Sequence, residues 1–203
     1  MEPITDIAFQ KSIKAIYQSV FVNEDPYRAP FQPTMQPRLL LYWFRYGLLE
    51  NEAWLVPVTE AIRALGEDGF YLTELGQPGP EPHHWYVPID EAGLYIKTIY
   101  PRENAIYSTR GHWGIICSEE DHAIVAGPQG FIDIIYRSVP DWDYRLNLFL
   151  ENWKGYYEQN NRIKIDWLPT LLSHVYGTEK AKKMLQDSQL EWLLSSLDNS
   201  QDL

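Results

Sequence analysis

The sequence lacks the features that place a chain outside a reducing, aqueous compartment. It has a single cysteine, Cys117, so no disulfide can form within the chain. Its most hydrophobic run, residues 39–49, contains Arg45 and is shorter than the roughly 20 apolar residues that span a bilayer. The first 16 residues carry four charged side chains and leave no apolar block typical of a signal peptide. We therefore expect a cytoplasmic protein with no membrane contact.

Motifs for metal and cofactor chemistry are missing as well. The five histidines and the one cysteine form no CxxC, HxxxH or HExxH pattern, and no GxxxxGK, GxGxxG or GxSxG motif occurs. The run from Gly127 to Gly130 is rich in glycine, but Pro128 has no amide hydrogen to offer a phosphate. The sequence predicts no metal site and no cofactor.

Positive charge is scarce. The chain has 28 acidic and 17 basic residues, which gives a net charge of −11 at pH 7. Nucleic-acid-binding surfaces concentrate Lys and Arg on one face, whereas here only Lys180, Lys182 and Lys183 cluster, as on the solvated face of a helix. The charge argues against a nucleic-acid partner and favours a basic protein partner.

Aromatic side chains, by contrast, are abundant, with 14 Tyr and 8 Trp in 203 residues. A chain of this length can bury one sizeable core, and its composition is that of an ordinary globular protein. We therefore expect a single domain over residues 1–197, followed by a frayed tail over 198–203. Tyr and Trp dominate interfaces as well as cores, so part of this large set is expected at a binding surface.

Helical periodicity is found at both ends of the chain. The first predicted helix is capped by Thr5 or Asp6, a second begins at a proline and covers 37–49, and a third covers 58–65 and ends at Gly66. Four more are predicted near the C-terminus: one between Pro128 and Pro140, one capped by Asp141 that runs to about Tyr157, one over 167–176 that ends at Gly177, and one capped by Thr178 that runs through Leu193.

Between these helices, short β-branched and aromatic runs alternate with turn residues, a pattern typical of antiparallel strands. The intervals are too short to hold crossover helices, so neighbouring runs are expected to pair as hairpins. The predicted fold is α+β, with an antiparallel meander of five to six strands over residues 70–126 between N-terminal and C-terminal helices. The six runs are 70–75, 84–88, 94–100, 105–108, 112–117 and 122–126.

One pair of residues is a weak catalytic candidate. If residues 118–121 form a hairpin turn, Cys117 lies directly opposite His122, and a thiolate nucleophile with its base would result. The favoured interpretation is structural, with a buried Cys and a hydrogen-bonded His at a strand end, because free Cys is among the most buried residue types. The acidic residues 119–121 are interpreted as a solvated turn.

A second candidate is a surface on the predicted hairpin around residues 89–93. One face of this hairpin carries His84, Tyr86 and Tyr100, and the opposite face is also apolar. A sheet with two apolar faces needs a second cover, which helices, a second copy of the chain in a homodimer, or a partner protein would supply. If the aromatic residues are exposed, these three are the expected binding residues.

Two functional hypotheses follow. The first is a non-enzymatic protein-binding domain, such as an immunity or antitoxin-type inhibitor of a basic toxin, which the charge, the aromatic content and the missing catalytic motifs favour. The second is a small hydrolase or transferase with a site around Cys117 and His122, or around the neighbouring pair His83 and His84. A deep pocket with converging polar groups would favour the enzyme, and a flat apolar patch would favour the binding domain.

Overall fold

The computed structural model describes residues 2–42, 52–76, 84–94 and 103–195. The chain divides into two compact units, the first comprising Met1–Pro26 and Pro30–Pro140 and the second comprising Tyr27–Ala29 and Asp141–Leu203. The expectation of a single domain stays a prediction, because compactness does not show whether the units unfold together. In the described ranges no helix is long and apolar enough to cross a bilayer. The tail 198–203 lies outside these ranges.

The first unit contains a seven-stranded antiparallel sheet with the spatial order β1-β4-β3-β5-β6-β7-β2. This confirms the predicted α+β class with an antiparallel sheet between N-terminal and C-terminal helices, and it adds strands at both edges. The strands are β1 (Glu2–Pro3), β2 (Arg38–Tyr42), β3 (Gly69–Glu74), β4 (His84–Pro88), β5 (Asn104–Ser108), β6 (Gly114–Cys117) and β7 (His122–Ala126).

Six α-helices occur in the described part of the chain. Two predicted helix ends are confirmed: Asp6 Oδ1 accepts the Phe9 amide at 2.7 Å, and Gly66 takes the left-handed conformation (φ 68°) after the third predicted helix. The helices are α1 (Ile7–Val20), α2 (Glu52–Ala64) and α3 (Gln129–Ser138) in the first unit, and α4 (Trp142–Gln159), α5 (Leu168–Tyr176) and α6 (Thr178–Asp187) in the second.

Helix α1 covers one face of the sheet. Tyr71 and Tyr107 lie directly opposite each other on β3 and β5, so both side chains point to this face. The Tyr17 ring on α1 lies 5.5 Å from the Tyr107 ring, edge to face. A methyl group at Gly114 would lie 2.5 Å from Val20 Cγ1, so the absence of a side chain lets α1 approach β6.

Helix α3 packs on the opposite face. Phe70 is the neighbour of Tyr71 in β3 and therefore points the other way. The Trp113 ring lies 6.5 Å from the Phe70 ring and stacks on Phe131 of α3 at 5.0 Å. Helix α2 packs against α3. Helices thus lie on both sides of the sheet. Of the three covers considered for the second apolar face, the structure shows helices.

The predicted helix over residues 37–49 is wrong over its first part. Residues Arg38–Tyr42 form β2, which pairs antiparallel with β7 in the register Leu40↔Ile124. A short apolar run after a proline fits a buried strand as well as a buried helix, and periodicity does not distinguish the two. The free edge of β7 decided the outcome, because pairing satisfies the backbone polar groups of Leu39–Leu41. Residues 43–51 lie outside the described ranges.

The predicted meander is wrong at one connection. The prediction pairs run 105–108 with the preceding run, 94–100, whereas β5 pairs with β3 in the register Tyr71↔Tyr107 and with β6 on its other side. The predicted hairpin turn at 89–93 is a 3₁₀-helix, Ile89–Leu94, and β1 occupies the second edge of β4 at Tyr86. The remainder of the predicted strand 94–100 lies outside the described ranges.

Two predicted caps in the second unit are also wrong. Asp141 precedes α4 in the left-handed conformation (φ 60°), and its side chain makes no capping hydrogen bond. Thr178 is the first residue of α6, so Gly177 holds the cap position. The last predicted helix ends at Asp187, and a separate 3₁₀-helix covers Glu191–Leu194. The predicted helix end at Gly177 is confirmed (φ 82°).

The second unit has its own aromatic centre around Trp167. Its ring lies 5.0 Å from both the Trp153 and Tyr27 rings and 6.3 Å from the Phe149 ring. Trp153 and Phe149 belong to the apolar stripe predicted for α4, and both are buried. Much of the aromatic content therefore serves packing.

Candidate functional site

The structure does not bring Cys117 and His122 together. Strands β6 and β7 pair in the register Cys117↔Ala123, so the residue opposite His122 is Ser118. Cys117 and His122 therefore point to opposite faces of the sheet, and the predicted opposition is wrong by one residue. Cys117 is fully buried, and desolvation raises the pKa of its thiol. A buried thiol without a neighbouring base is not an activated nucleophile.

His122 instead has a structural role, because its ring joins two segments by hydrogen bonds. Its ring is fully buried, and Nε2 donates to the carbonyl oxygen of Pro26 at 3.3 Å, while Nδ1 lies 3.1 Å from Ser118 Oγ. Burial lowers the pKa of His122 to about 4, and the bond to the Pro26 carbonyl partly opposes this shift. A neutral His122 therefore holds the segment before Pro26 against the β6–β7 turn.

We expect the Cys117 thiol to resist a disulfide reagent in the native protein. Modification should proceed about 100-fold more slowly than in the urea-unfolded chain, because the thiolate forms only after local opening. Thiol titration with and without denaturant measures this directly, since the chain has one cysteine. Rapid modification of the native protein would contradict the assigned burial and restore a reactive-cysteine hypothesis.

His84 and Tyr86, two of the predicted binding residues, lie on β4 and are half-buried. Tyr86 pairs with Tyr71, with ring centroids 6.2 Å apart, so this side of β4 continues the face that α1 covers. Tyr100, the third predicted binding residue, and His83 lie outside the described ranges.

A directed chain of hydrogen bonds ends at His84. Thr73 Oγ1 lies 2.9 Å from the Tyr107 hydroxyl and 2.8 Å from His84 Nδ1. Tyr107 is fully buried, and in the described part of the chain its hydroxyl has no other hydrogen-bond partner. A buried hydroxyl hydrogen without an acceptor costs about 1–3 kcal/mol, so we assign Tyr107 as the donor to Thr73. Thr73 then donates to Nδ1, and a neutral His84 carries its hydrogen on Nε2.

A cleft of about 320 Å³ opens beside this chain of hydrogen bonds, between α1, the segment that follows it, and the end of the β3–β4 strand pair at Thr73 and His84. Its floor is formed by the largely buried side chains of Tyr17, Phe21 and Thr73, and its walls include His84. Burial, followed by the charge of Glu24 at the rim, raises the pKa of Tyr17. The phenol therefore stays protonated, and the cleft combines an aromatic floor with hydroxyl and imidazole groups.

Carboxylates gather at one end of the sheet, near the β6–β7 turn. Asn104 pairs with Cys117, which places the neighbouring Glu103 beside this turn. The bond from His122 to Pro26 brings Asp25 to the same place. We call this surface the acidic end; its residues are Asp25, Glu103, Glu119, Glu120 and Asp121.

The carboxylates of the acidic end repel one another. Partial burial, followed by the charges of Glu119 and Asp25, raises the pKa of Glu103 to about 7. Burial and the charge of Glu120 raise the pKa of Asp121 to about 7, against hydrogen bonds from its own backbone and from Tyr42. In the described ranges, Glu103, Glu119, Glu120 and Asp121 form no ion pair with a basic side chain. Their negative charge is therefore not compensated locally.

The acidic end and the cleft are the two candidate sites, and the predictions from sequence found them only in part. The sequence predicts a solvated acidic turn at residues 119–121, but Asp25 and Glu103 are distant in sequence and carry no local signal. Among the described residues, no group of three or more His, Cys, Asp and Glu side chains is arranged to hold a metal ion. No protein family, curated protein or solved structure matches this chain.

Proposed function

We propose that this protein is a non-enzymatic protein-binding domain whose partner is basic, and that the acidic end is its principal contact surface. An immunity or antitoxin-type inhibitor of a basic toxin is a protein of this kind. The observation that carries the proposal is the convergence of five carboxylates on one end of the sheet, where four of them form no ion pair with a basic side chain in the described ranges.

The distribution of charge supports this proposal. The first unit holds 18 of the 28 acidic residues but only nine of the 17 basic ones, so nine of the eleven net negative charges belong to it. Solubility alone does not require charge to be concentrated in one unit. A concentrated field of one sign steers an oppositely charged partner and raises its association rate.

The half-buried state of Glu103 and Asp121 also supports a binding role. Carboxylates that are crowded and partly desolvated are unfavourable in the free protein, and a Lys or Arg side chain of a partner would relieve the repulsion. His84, Tyr86 and Tyr100 remain proposed contact residues for the apolar part of the same interface. The alternative of a hydrolase or transferase around Cys117 and His122 has no geometric support, because the two side chains point to opposite faces.

The proposal is tested by capture on the immobilised chain from its native lysate at moderate salt. The acidic-end variant combines Glu103→Gln, Glu119→Gln and Glu120→Gln. We expect the unaltered chain to retain a basic protein in stoichiometric amount. The variant should bind that protein about 10- to 100-fold more weakly, because it loses three charge-assisted contacts with Lys or Arg side chains of the partner.

A control variant with the same net charge separates the local effect from a general one. It combines Glu60→Gln, Asp143→Asn and Glu158→Gln, three exposed acids outside the acidic end. This variant should retain the partner as the unaltered chain does. Equal loss from both variants, or retention of no stoichiometric partner by any of the three, would refute the proposal.

A further inference from the structure

The cleft beside His84 presents one positive and one negative side chain that do not neutralise each other. Lys14, on α1, and Glu24, after the end of α1, both line it. Both residues are exposed, and neither forms an ion pair within the described part of the chain. A ligand that lies between them can therefore contact two opposite charges that form no ion pair with any other described residue.

The region between the two charges is amphipathic. Phe21 and Tyr17 provide an aromatic floor, and Val22, which is 51% exposed, adds an apolar wall. Thr73 and His84 add polar groups on the sheet side, where the hydrogen-bond chain fixes the orientation of the imidazole. A mostly apolar cleft with a few fixed polar groups is the usual form of a small-molecule site.

We propose that this cleft binds a small amphipathic zwitterion, namely an α-amino acid with an apolar or aromatic side chain. The ligand carboxylate pairs with Lys14, its ammonium group pairs with Glu24, and its side chain packs on Phe21 and Val22. The cleft volume of about 320 Å³ is at the small end of ligand pockets, which suits a ligand of this size.

The two charges together exclude simpler ligands. Lys14 repels a plain cation such as an amine, and Glu24 repels a plain anion such as a carboxylic acid. An uncharged aromatic compound gains no charge-assisted contact with either side chain. A molecule that carries both charges can pair with both side chains, and the side chain of an α-amino acid is then left for the apolar wall.

The test uses L-phenylalanine as the probe, with phenethylamine and 3-phenylpropanoate as analogues that lack the carboxylate and the ammonium group. Binding to the full chain is followed by backbone amide chemical shifts at millimolar ligand. We expect L-phenylalanine to shift the amides of residues 21–24 and of His84. Each analogue should bind at least about fivefold more weakly, because each loses one charge-assisted contact.

Two substitutions assign the contacts. Lys14→Met should weaken the binding of L-phenylalanine at least about fivefold and should not weaken that of phenethylamine, which Lys14 repels. Glu24→Gln should weaken L-phenylalanine similarly and should not weaken 3-phenylpropanoate, which Glu24 repels. Lys11→Met, one helical turn from Lys14, and Glu60→Gln on α2 are matched controls that should change nothing. Absence of saturable shifts, equal binding of either analogue, or equal effects of the controls would overturn the proposal. None of these variants alters the acidic end, so the outcome is independent of the partner-capture experiment.

Discussion

Replacing Glu67 by alanine should lower the free energy of unfolding by about 3–4 kcal/mol, because Glu67 is a buried carboxylate that accepts several hydrogen bonds. Glu67 is 3% exposed and lies in the turn between α2 and β3. Its Oε1 accepts Ser108 Oγ at 2.8 Å and Trp113 Nε1 at 3.2 Å, and its Oε2 accepts the Thr109 amide at 3.0 Å. Removal leaves these buried donors without an acceptor, which costs more than the hydrogen bonds themselves contribute.

Urea unfolding of graded variants measures this effect. Glu67→Gln keeps one oxygen but turns an NH₂ group toward the Thr109 amide, so it should cost about half as much as Glu67→Ala. Glu60→Gln, on the exposed side of α2, should change stability by less than about 0.5 kcal/mol. If Glu67→Ala and Glu60→Gln have the same midpoint and slope, the buried carboxylate does not join the α2–β3 turn to the β5–β6 hairpin.

The second large effect concerns pH. Glu103 and Asp121 have raised pKa values of about 7, so each contributes stability that is present at low pH and is lost as pH rises through 7. His122 has the opposite sign. Its pKa of about 4 lies below the ordinary value of 6.5, so its contribution is lost as pH falls from 6.5 toward 4. Both carboxyl groups are partly exposed, and screening by solvent reduces their effect.

The protein should therefore be more stable at pH 6 than at pH 8, by about 1 kcal/mol, and should gain little on further acidification because His122 offsets the carboxyl groups. Combining Glu103→Gln with Asp121→Asn should remove the increase in stability between pH 8 and pH 6. It should also stabilise the protein at pH 8 by roughly 2 kcal/mol, and a decline below pH 6.5 should then become visible because His122 is left alone.

Urea unfolding at a series of pH values checks this prediction. The matched control is the pair Glu60→Gln and Glu158→Gln, which removes the same charge from exposed positions. Its pH profile should parallel that of the unaltered chain. A profile for the Glu103 and Asp121 variant that also parallels it would show that these carboxyl groups titrate normally. The carboxylates of the acidic end would then not repel one another in the folded protein.

Local patterns predicted many elements and failed where pairing was non-local. The periodicity of α1, its cap at Asp6 and the stop at Gly66 are properties of a few consecutive residues, and all three are confirmed. The run 38–42 was predicted helical because its apolar residues fit either state, and only the free edge of β7 distinguishes them. The Cys117–His122 opposition failed for a related reason, since a one-residue shift in register reverses the face of a side chain.

The candidate sites show the same division. The sequence predicts His84 as a binding residue and the net negative charge predicts a basic partner, and both stay proposals. The cleft was missed, because Lys14, Glu24 and Thr73 meet only when α1 packs on β3. The acidic end was missed in part, because Glu103 and Asp25 reach the turn through strand pairing and through the bond from His122 to Pro26.

The sequence by itself determined the α+β class, the antiparallel character of the sheet, the missing catalytic motifs and the net charge, because these depend on composition and on contacts between near neighbours. Only the tertiary structure decided the strand order, the register of β6 against β7, and which charges share a surface. These depend on the packing of segments that are distant in the chain, and several registers or partners satisfy the same local pattern.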